Sequence, residues 1–593
     1  MTLRIGASVL ADKSKLFLHK RRLMPKRTRF GAQTVLAVLL VAVVVSAQRI
    51  PLDSLQRRFN DQRFGLFLHF NMNTYVAGWG NARTNPLNFN PTGLDCAQWA
   101  SAAKAAKMKW AVLTCKHHDG FVIWPSKQTP LVSPAYTIAQ SSQPNMDVVK
   151  SYTDAFRAAG IMPGLYMSGW DVAQNISRDI TQWSAAQRTY ILGQIRELLT
   201  NYGEIPIFWF DGYSWAMGHK AVPWQEIRDT IKAIQPNCLI VETNGMYEPW
   251  ETDILFFEAP LGISCPEGNT FASCQADIIA NDWFWTSNCT NIANLKSASS
   301  VVSNLTSLNS KYCSFLFDCP PNRQGKLDDA IVTRLGEIGT AWTPPARLRL
   351  PAQVPMIESP ITPVSATATS GTAANAIDNH NDWSGGPVFQ QLWQSTGSLP
   401  QSVTLDLGKV YDNITYLFYL PRRESGNTTG NITGYQIHYS ADNSTWTQIT
   451  SGTAIGGGGS FGTWPATSAV KKVQFAPISA RYVRLTATAV NGGTSAVINE
   501  VAVGGPAKDD VAVKNSEPEK QALLVPGWSI RTSRRFVDLD PSLAGKMKTV
   551  SVYSIDGKLV GMKKIRKNSI DLRKDCGIPD GVYVVKTALM RGK

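Results

Sequence analysis

Three of the seven histidines in this 593-residue chain stand where short apolar runs stop. The run 64–68 leads into His69, and the run 110–115 leads into Lys116, His117, His118, Asp119 and Gly120. Residues 162–165 lead into Tyr166, and 205–210 lead into Asp211 and Gly212. A single buried histidine is more often a hydrogen-bonded core residue than a catalyst. An adjacent pair, joined by a third imidazole, a phenol and a carboxylate on equivalent run ends, points to one polar site that handles protons and hydroxyl groups.

Those ends are equivalent only if the runs are parallel strands. Between them lie segments 96–108, 146–159, 185–202 and 224–235 with helical apolar spacing, and 238–242 is a fifth strand candidate. Strand and helix in alternation over residues 50–340 predict a TIM-like (β/α) barrel, in which side chains at the carboxyl ends of the strands face the active site. Pro344, Pro345, Pro351, Pro355, Pro360 and Pro363 mark a linker. From 360 to 505 charged residues thin out, Thr, Ser and Gly rise, and 402–407, 434–440 and 482–487 alternate with period two, which predicts a β-sandwich. The domain plan is therefore a leader over 1–47, a barrel over 48–345, a sandwich over 346–505, a linker over 506–520 and a small β domain over 521–593.

Charge narrows the function class. The net +15 comes from the ends: residues 1–47 carry 9 Lys/Arg against 1 acid, and 506–593 carry 18 against 10. The stretch between holds 32 basic and 33 acidic residues, which disfavours a nucleic-acid enzyme. The 57 aromatics, 18 of them Trp, suit sugar sites, where a flat ring stacks on an apolar sugar face. The basic stretch before the apolar run 35–45, followed by Val45-Ser46-Ala47, has the order of a secretory signal with cleavage after Ala47; the run is short for a membrane span. In an exported chain of nine cysteines, six within 238–319 read as disulfides, with Cys265–Cys274 and Cys313–Cys319 as local pairs.

Residues 50–340 resemble an α-L-fucosidase of glycoside hydrolase family 29. The residues that carry the resemblance are Arg63 to His69, Lys116-His117-His118-Asp119-Gly120-Phe121 with Trp124-Pro125-Ser126, Gly164-Leu165-Tyr166, and Leu198 to Gly203 leading to Trp209-Phe210-Asp211-Gly212. The resemblance implies a retaining glycosidase that takes a fucosylated glycan, with Asp211 as nucleophile and a second carboxyl as acid and base. It also implies that His69, His117 and His118 bond the sugar hydroxyls, with Tyr166, Trp79, Trp209 and Trp285 completing the substrate site. Glu248 to Asp253 resembles the Pro-x-Glu-x-Asp of the branch that favours α-1,3/1,4-linked fucose, as do Asp282 to Trp285 and Pro320 to Gly325. That gives Glu251 the acid/base role, with Glu258 and Glu242 as runners-up. Two departures concern the aglycone: Gly78-Trp79 stands where many relatives have Glu-Trp, and Trp170-Asp171-Val172-Ala173 lacks a usual His. They leave open a sugar-binding protein without catalysis, or a glycosidase of a related sugar such as an α-L-galactoside.

The second domain resembles a discoidin-type sandwich of carbohydrate-binding module family 32, through Ala376-Ile377-Asp378, Asp382-Trp383, Val403 to Gly408, Tyr435 to Asp442 with Trp446, Arg481 to Leu485 and Asn499-Glu500-Val501. Such domains often hold a structural calcium, for which Asp378 and Glu500 are the candidate oxygen ligands; Trp383, Trp393 and Trp464 are candidate platforms or core. The last segment resembles C-terminal sorting domains of some bacterial secreted enzymes, which implies secretion machinery as a partner. The reaction needs no metal or organic cofactor.

Overall fold

The computed structural model describes residues 49–76, 83–177, 182–212, 222–243, 249–351, 359–378, 392–422 and 427–505, with strand segments between 528 and 589. The leader over 1–47, Gly78-Trp79, Trp383, Cys576, the linker 506–520 and both C-terminal Asp-Gly turns lie outside them.

Eight parallel strands form the first sheet: β1 Phe64–Leu68, β2 Trp110–Lys116, β3 Met162–Ser168, β4 Ile207–Asp211, β5 Leu239–Glu242, β6 Leu255–Glu258, β7 Ser273–Ile278 and β8 Cys313–Asp318. Their order is β5-β4-β3-β2-β1-β8-β7-β6, a TIM-like sheet in which β5 and β6 are the two strands not hydrogen-bonded to each other. Strands buried on both faces read as continuous apolar runs, and β1 and β2 are buried at every position. The helices outside it are α1 Leu52–Asn60, α2 Cys96–Ala105, α3 Val148–Ala158, α4 Ala185–Asn201, α5 Trp224–Ile234, α6 Ala298–Ser310 and α7 Asp329–Ala341. Several start where the sequence says they should: the Asp95 side chain accepts from Gln98 N at 2.9 Å to cap α2, and Asp147 accepts from Lys150 N at 2.9 Å to cap α3.

The proline-marked linker is strapped to the barrel. Arg57 Nη1 donates to Leu350 O at 2.9 Å and Asn60 Nδ2 to Leu348 O at 3.2 Å. Beyond it, the sandwich is built on two 20-residue strands, β12 Gln401–Leu420 and β16 Lys471–Val490. Bulges in β12 between Asp406 and Tyr416 let its first half pair with β10 Ser365–Ala368 and its second half with β18 Glu500–Gly505. Trp393 and Trp464 are core residues: both are buried, and Trp464 stacks on Tyr435 with centroids 3.7 Å apart.

The disulfide expectation is corrected. Eight cysteines, Cys96, Cys115, Cys238, Cys265, Cys274, Cys289, Cys313 and Cys319, are buried free thiols. Cys313 opens β8 and Cys319 follows its end, so the strand holds them about 20 Å apart at 3.3 Å per residue, far beyond disulfide reach.

Candidate active site

Four strands close on a carboxylate, β4 on Asp211, β5 on Glu242, β6 on Glu258 and β8 on Asp318, because the apolar sheet interior has no partner to offer a charge. Asp211 closes β4, and the chain turns sharply after it: Gly212 has φ +67°, and a Cβ there would lie 2.6 Å from Ser168 Oγ and 2.7 Å from Trp170 N. The Asp211 carboxylate then meets three donors. Tyr166 OH donates to Oδ2 at 2.5 Å, while Thr243 Oγ1 at 2.7 Å and Gly212 N at 2.6 Å donate to Oδ1. Donors on both oxygens favour the charged form in a site that otherwise penalises it.

The three histidines enter the same cavity uncharged. His118 Nδ1 lies 2.7 Å from Ser168 Oγ, whose own hydroxyl donates to Trp170 O at 2.9 Å. Ser168 therefore accepts, the ring carries its proton on Nδ1, and Nε2 presents a lone pair 3.8 Å from Asp211 Oδ2. Burial brings His118 down to about 4 despite the nearby Asp211. Burial likewise brings His69 down to about 3 and pushes Asp318 up, so the 2.7 Å contact between His69 Nδ1 and Asp318 Oδ1 holds a single proton. His117, stacked on Tyr166 at 5.7 Å, is also lowered by burial, with His118 and His69 adding to the shift.

A second carboxyl faces Asp211. Glu258 closes β6, and burial followed by the Asp211 charge raises its pKa to about 8. Both acids line one cavity of about 670 Å3, with the three histidines, Tyr166, Thr243, Trp209, Phe67, Phe256 and Trp283 around them. Glu251 is half-buried and is not among the lining residues, and Glu242 is fully buried at the end of β5 and does not line it either. The neighbours of Glu251 are held in place: Trp250 is buried, Thr252 Oγ1 donates to Ile254 O at 2.9 Å, and Asp253 is held by Arg228 at 2.6 Å and Lys232 at 2.7 Å.

Trp209 stands in the lining, whereas Trp285 turns away and donates to Asp328 Oδ2 at 2.6 Å; Trp283, two residues earlier, takes the place against His69, with ring centroids 5.0 Å apart. Trp79 lies outside the described residues. Thr243, Trp283 and Asp318 were not singled out from sequence. Asp318 obeys the rule that found Asp211, since it is the polar end of an apolar run, and Trp283 lies inside a quoted string.

Beneath the histidines, Lys116 Nζ is fully buried between Asp171 Oδ2 at 3.0 Å and Gln194 Oε1 at 2.8 Å. Asp171 opens a short turn whose amides bind the histidine loop: Val172 N donates to His118 O at 3.0 Å and Ala173 N to Asp119 O at 3.1 Å.

In the sandwich, Glu500 is buried at the start of β18 and Asp378 is half-buried just after the turn Ala373–Ala376. Among the described residues, no group of three His, Cys, Asp or Glu side chains forms a metal cluster. No helix among them is long and apolar enough to cross a membrane.

Comparison with known proteins fits this geometry. Residues 73–344 match the family described as Alpha-L-fucosidase. The barrel thus carries the match to the α-L-fucosidase family. Residues 360–501 match the F5/8 type C domain, so the matched barrel is followed by a discoidin-type sandwich. The chain is 31% identical over 317 residues to Alpha-L-fucosidase 1 of Arabidopsis thaliana, covering 49% of this chain and 60% of that protein. It is 22% identical over 313 residues to an Alpha-L-fucosidase of Dictyostelium discoideum, covering 48% of this chain and 59% of that protein. In both cases the match thus spans about 60% of the relative's length. A Ruminococcus gnavus GH29 fucosidase mutant in complex with fucose superposes with a TM-score of 0.41 at 18% identity, covering 77% of this chain and 94% of that one.

Proposed function

We propose that the chain is a retaining exo-α-L-fucosidase that releases terminal α-L-fucosyl residues by double displacement, with Asp211 as nucleophile and Glu258 as acid and base. One observation carries the reading: a single cavity holds a carboxylate ringed by donors and, facing it, a carboxyl raised to about 8. Three donors stand ready to hold negative charge on the first, and near neutral pH the second keeps its proton, the division of labour that the chemistry needs.

In the first step an Asp211 oxygen bonds to the anomeric carbon as the bond from that carbon to the glycosidic oxygen breaks. The Glu258 proton passes to that departing oxygen. In the second, the Glu258 carboxylate takes a proton from water, whose oxygen displaces Asp211 and returns the sugar with retained configuration. His69 and His118 keep Nε2 for the ring hydroxyls, their Nδ1 atoms being engaged by Asp318 and Ser168, and Phe67, Trp209, Phe256 and Trp283 offer rings to its apolar face and methyl group. Asp211→Gly is expected to lower turnover of an aryl fucoside about a thousandfold or more without loss of folding; unchanged turnover removes Asp211 from the mechanism. Azide should rescue Glu258→Ala and not Glu251→Ala, and the reverse result returns the acid role to Glu251.

The Pro249 to Asp253 string supports a preference for α-1,3/1,4-linked fucose, tested by hydrolysis of Lewis-type, 2-fucosyl and aryl fucosides side by side. The leader supports export, and the C-terminal segment a contact with bacterial secretion machinery. A calcium ion on Asp378 and Glu500 would bind as a hard cation on carboxylate oxygens. Chelation is then expected to lower the sandwich's melting temperature, and an unchanged value excludes the ion.

A further inference from the structure

We infer that the β-sandwich is a positioning element of the catalytic centre: it stands in for the outer helices missing behind β6 and so fixes the strand that carries Glu258. The inference rests on the reading of Glu258 as the acid.

In a parallel barrel each strand needs a cover on its outer face, and the connecting helices supply it. Here α2, α3, α4 and α5 connect β1 through β5, and α6 connects β7 to β8. The two connections of β6 differ. Among the described residues there is no α-helix between β5 and β6, and residues 259–272 contain only the 3₁₀ turn Ala259–Leu261. Phe256 and Glu258 line the cavity, so alternation sends Leu255 and Phe257 outward, yet both are buried, at 2% and 1% exposure.

The cover on this flank comes from the sandwich. Tyr416, Phe418, Leu420, Ile455, Val470 and Ala502 belong to the same continuous apolar cluster as the barrel core. The contact runs through both connections of β6. Before it, Trp250 packs on Phe418 with ring centroids 5.5 Å apart. After it, Phe271 lies so close to the sandwich that a Cβ on Gly456 would stand 1.9 Å from its ring. Lys472, fully buried, sets its ammonium 4.2 Å from the Tyr416 ring and 5.2 Å from that of Phe418, which ties the sandwich side of the contact together. β6 pairs with β7 alone, and on its β5 side the chain just before it is tied through Asp253, whose N donates to Ile240 O at 2.9 Å and whose carboxylate meets Arg228 and Lys232.

The test compares two fucosides in the full-length chain, one with a dinitrophenyl leaving group that departs without a proton and one with a phenyl group that needs it. Glu258→Ala sets the scale, with a loss of kcat/KM about a hundredfold greater on the phenyl substrate. Phe418→Ala is expected to show the same selective loss, roughly tenfold greater on the phenyl substrate, with Phe418→Leu between it and the parent. Phe418→Leu also serves if the alanine variant does not fold. Equal losses on both substrates, or none, in the Phe418 variants while Glu258→Ala stays selective overturn the positioning role. Glu258→Ala losing both substrates equally overturns the acid assignment itself, and the inference with it.

Discussion

At the level of single residues, the site works by separating the protonation states of neighbours. Glu258 is raised to about 8 by burial and by Asp211, so the acid is present below that value and lost as pH rises through it. The kcat/KM profile on a phenyl fucoside should fall above about pH 8, and a limb near the ordinary value for Glu would contradict the assignment. Ser168 fixes the His118 proton on Nδ1, so Ser168→Ala leaves both tautomers open and is expected to lower kcat/KM roughly tenfold, mostly through KM. His69, His117, His118, Tyr166 and Asp211 were legible because each ends an apolar run in a regular alternation with helical segments. Glu258 was a runner-up because that alternation breaks around Leu255–Glu258 and the motif just before it drew attention to Glu251. That motif's neighbours turn out to anchor the chain, with Asp253 closed by two cations, and such a role carries no mark in the sequence.

At the level of elements, the loop that carries the paired histidines is held from below by a buried ion pair. Lys116→Met leaves Asp171 without its cation and should cost about 3–5 kcal/mol in denaturant unfolding; a cost under about 1 kcal/mol would show that Gln194 and the turn suffice. Gly120 belongs to the same device: its φ is +89°, and a Cβ would lie 2.0 Å from Asp171 Oδ1, which explains the glycine in the histidine motif. The first five strands and four helices were readable, nearly to the residue, because strand and helix periods alternate there. β6, β7 and β8 were not named. β7 carries Ser273, Gln275 and Asp277 within six residues, and among the described residues the connections on both sides of β6 lack the α-helices that make the alternation visible.

At the level of the whole molecule, sequence separated the barrel from the sandwich but did not show that one side of the sandwich joins the barrel's apolar core while the rest keeps a core of its own. Long-range contacts such as Trp250 with Phe418 have no local periodicity to announce them. The cysteines misled for a related reason: a cluster in sequence suggested bridges, and the fold spreads it over β5, β7 and β8 and their flanks. Burial pushes the thiols of Cys115, Cys274, Cys313 and Cys319 far up, so an aromatic disulfide reagent should leave the eight buried cysteines almost unlabelled in the native protein and modify them all in denaturant. Labelling blocked even after denaturation, until a reductant is added, would restore the bridges.

The unzipped border between β5 and β6 has one more corollary. A strand bonded on one edge only can have its flanking connections lengthened, shortened or exchanged without tearing a ladder. His69, His117, His118, Tyr166 and Asp211 stand on or just after strands β1 to β4, inside the hydrogen-bonded run, while Glu258 stands at this border. Under the proposed mechanism, changes at the border alter the leaving-group preference while the sugar recognised stays the same.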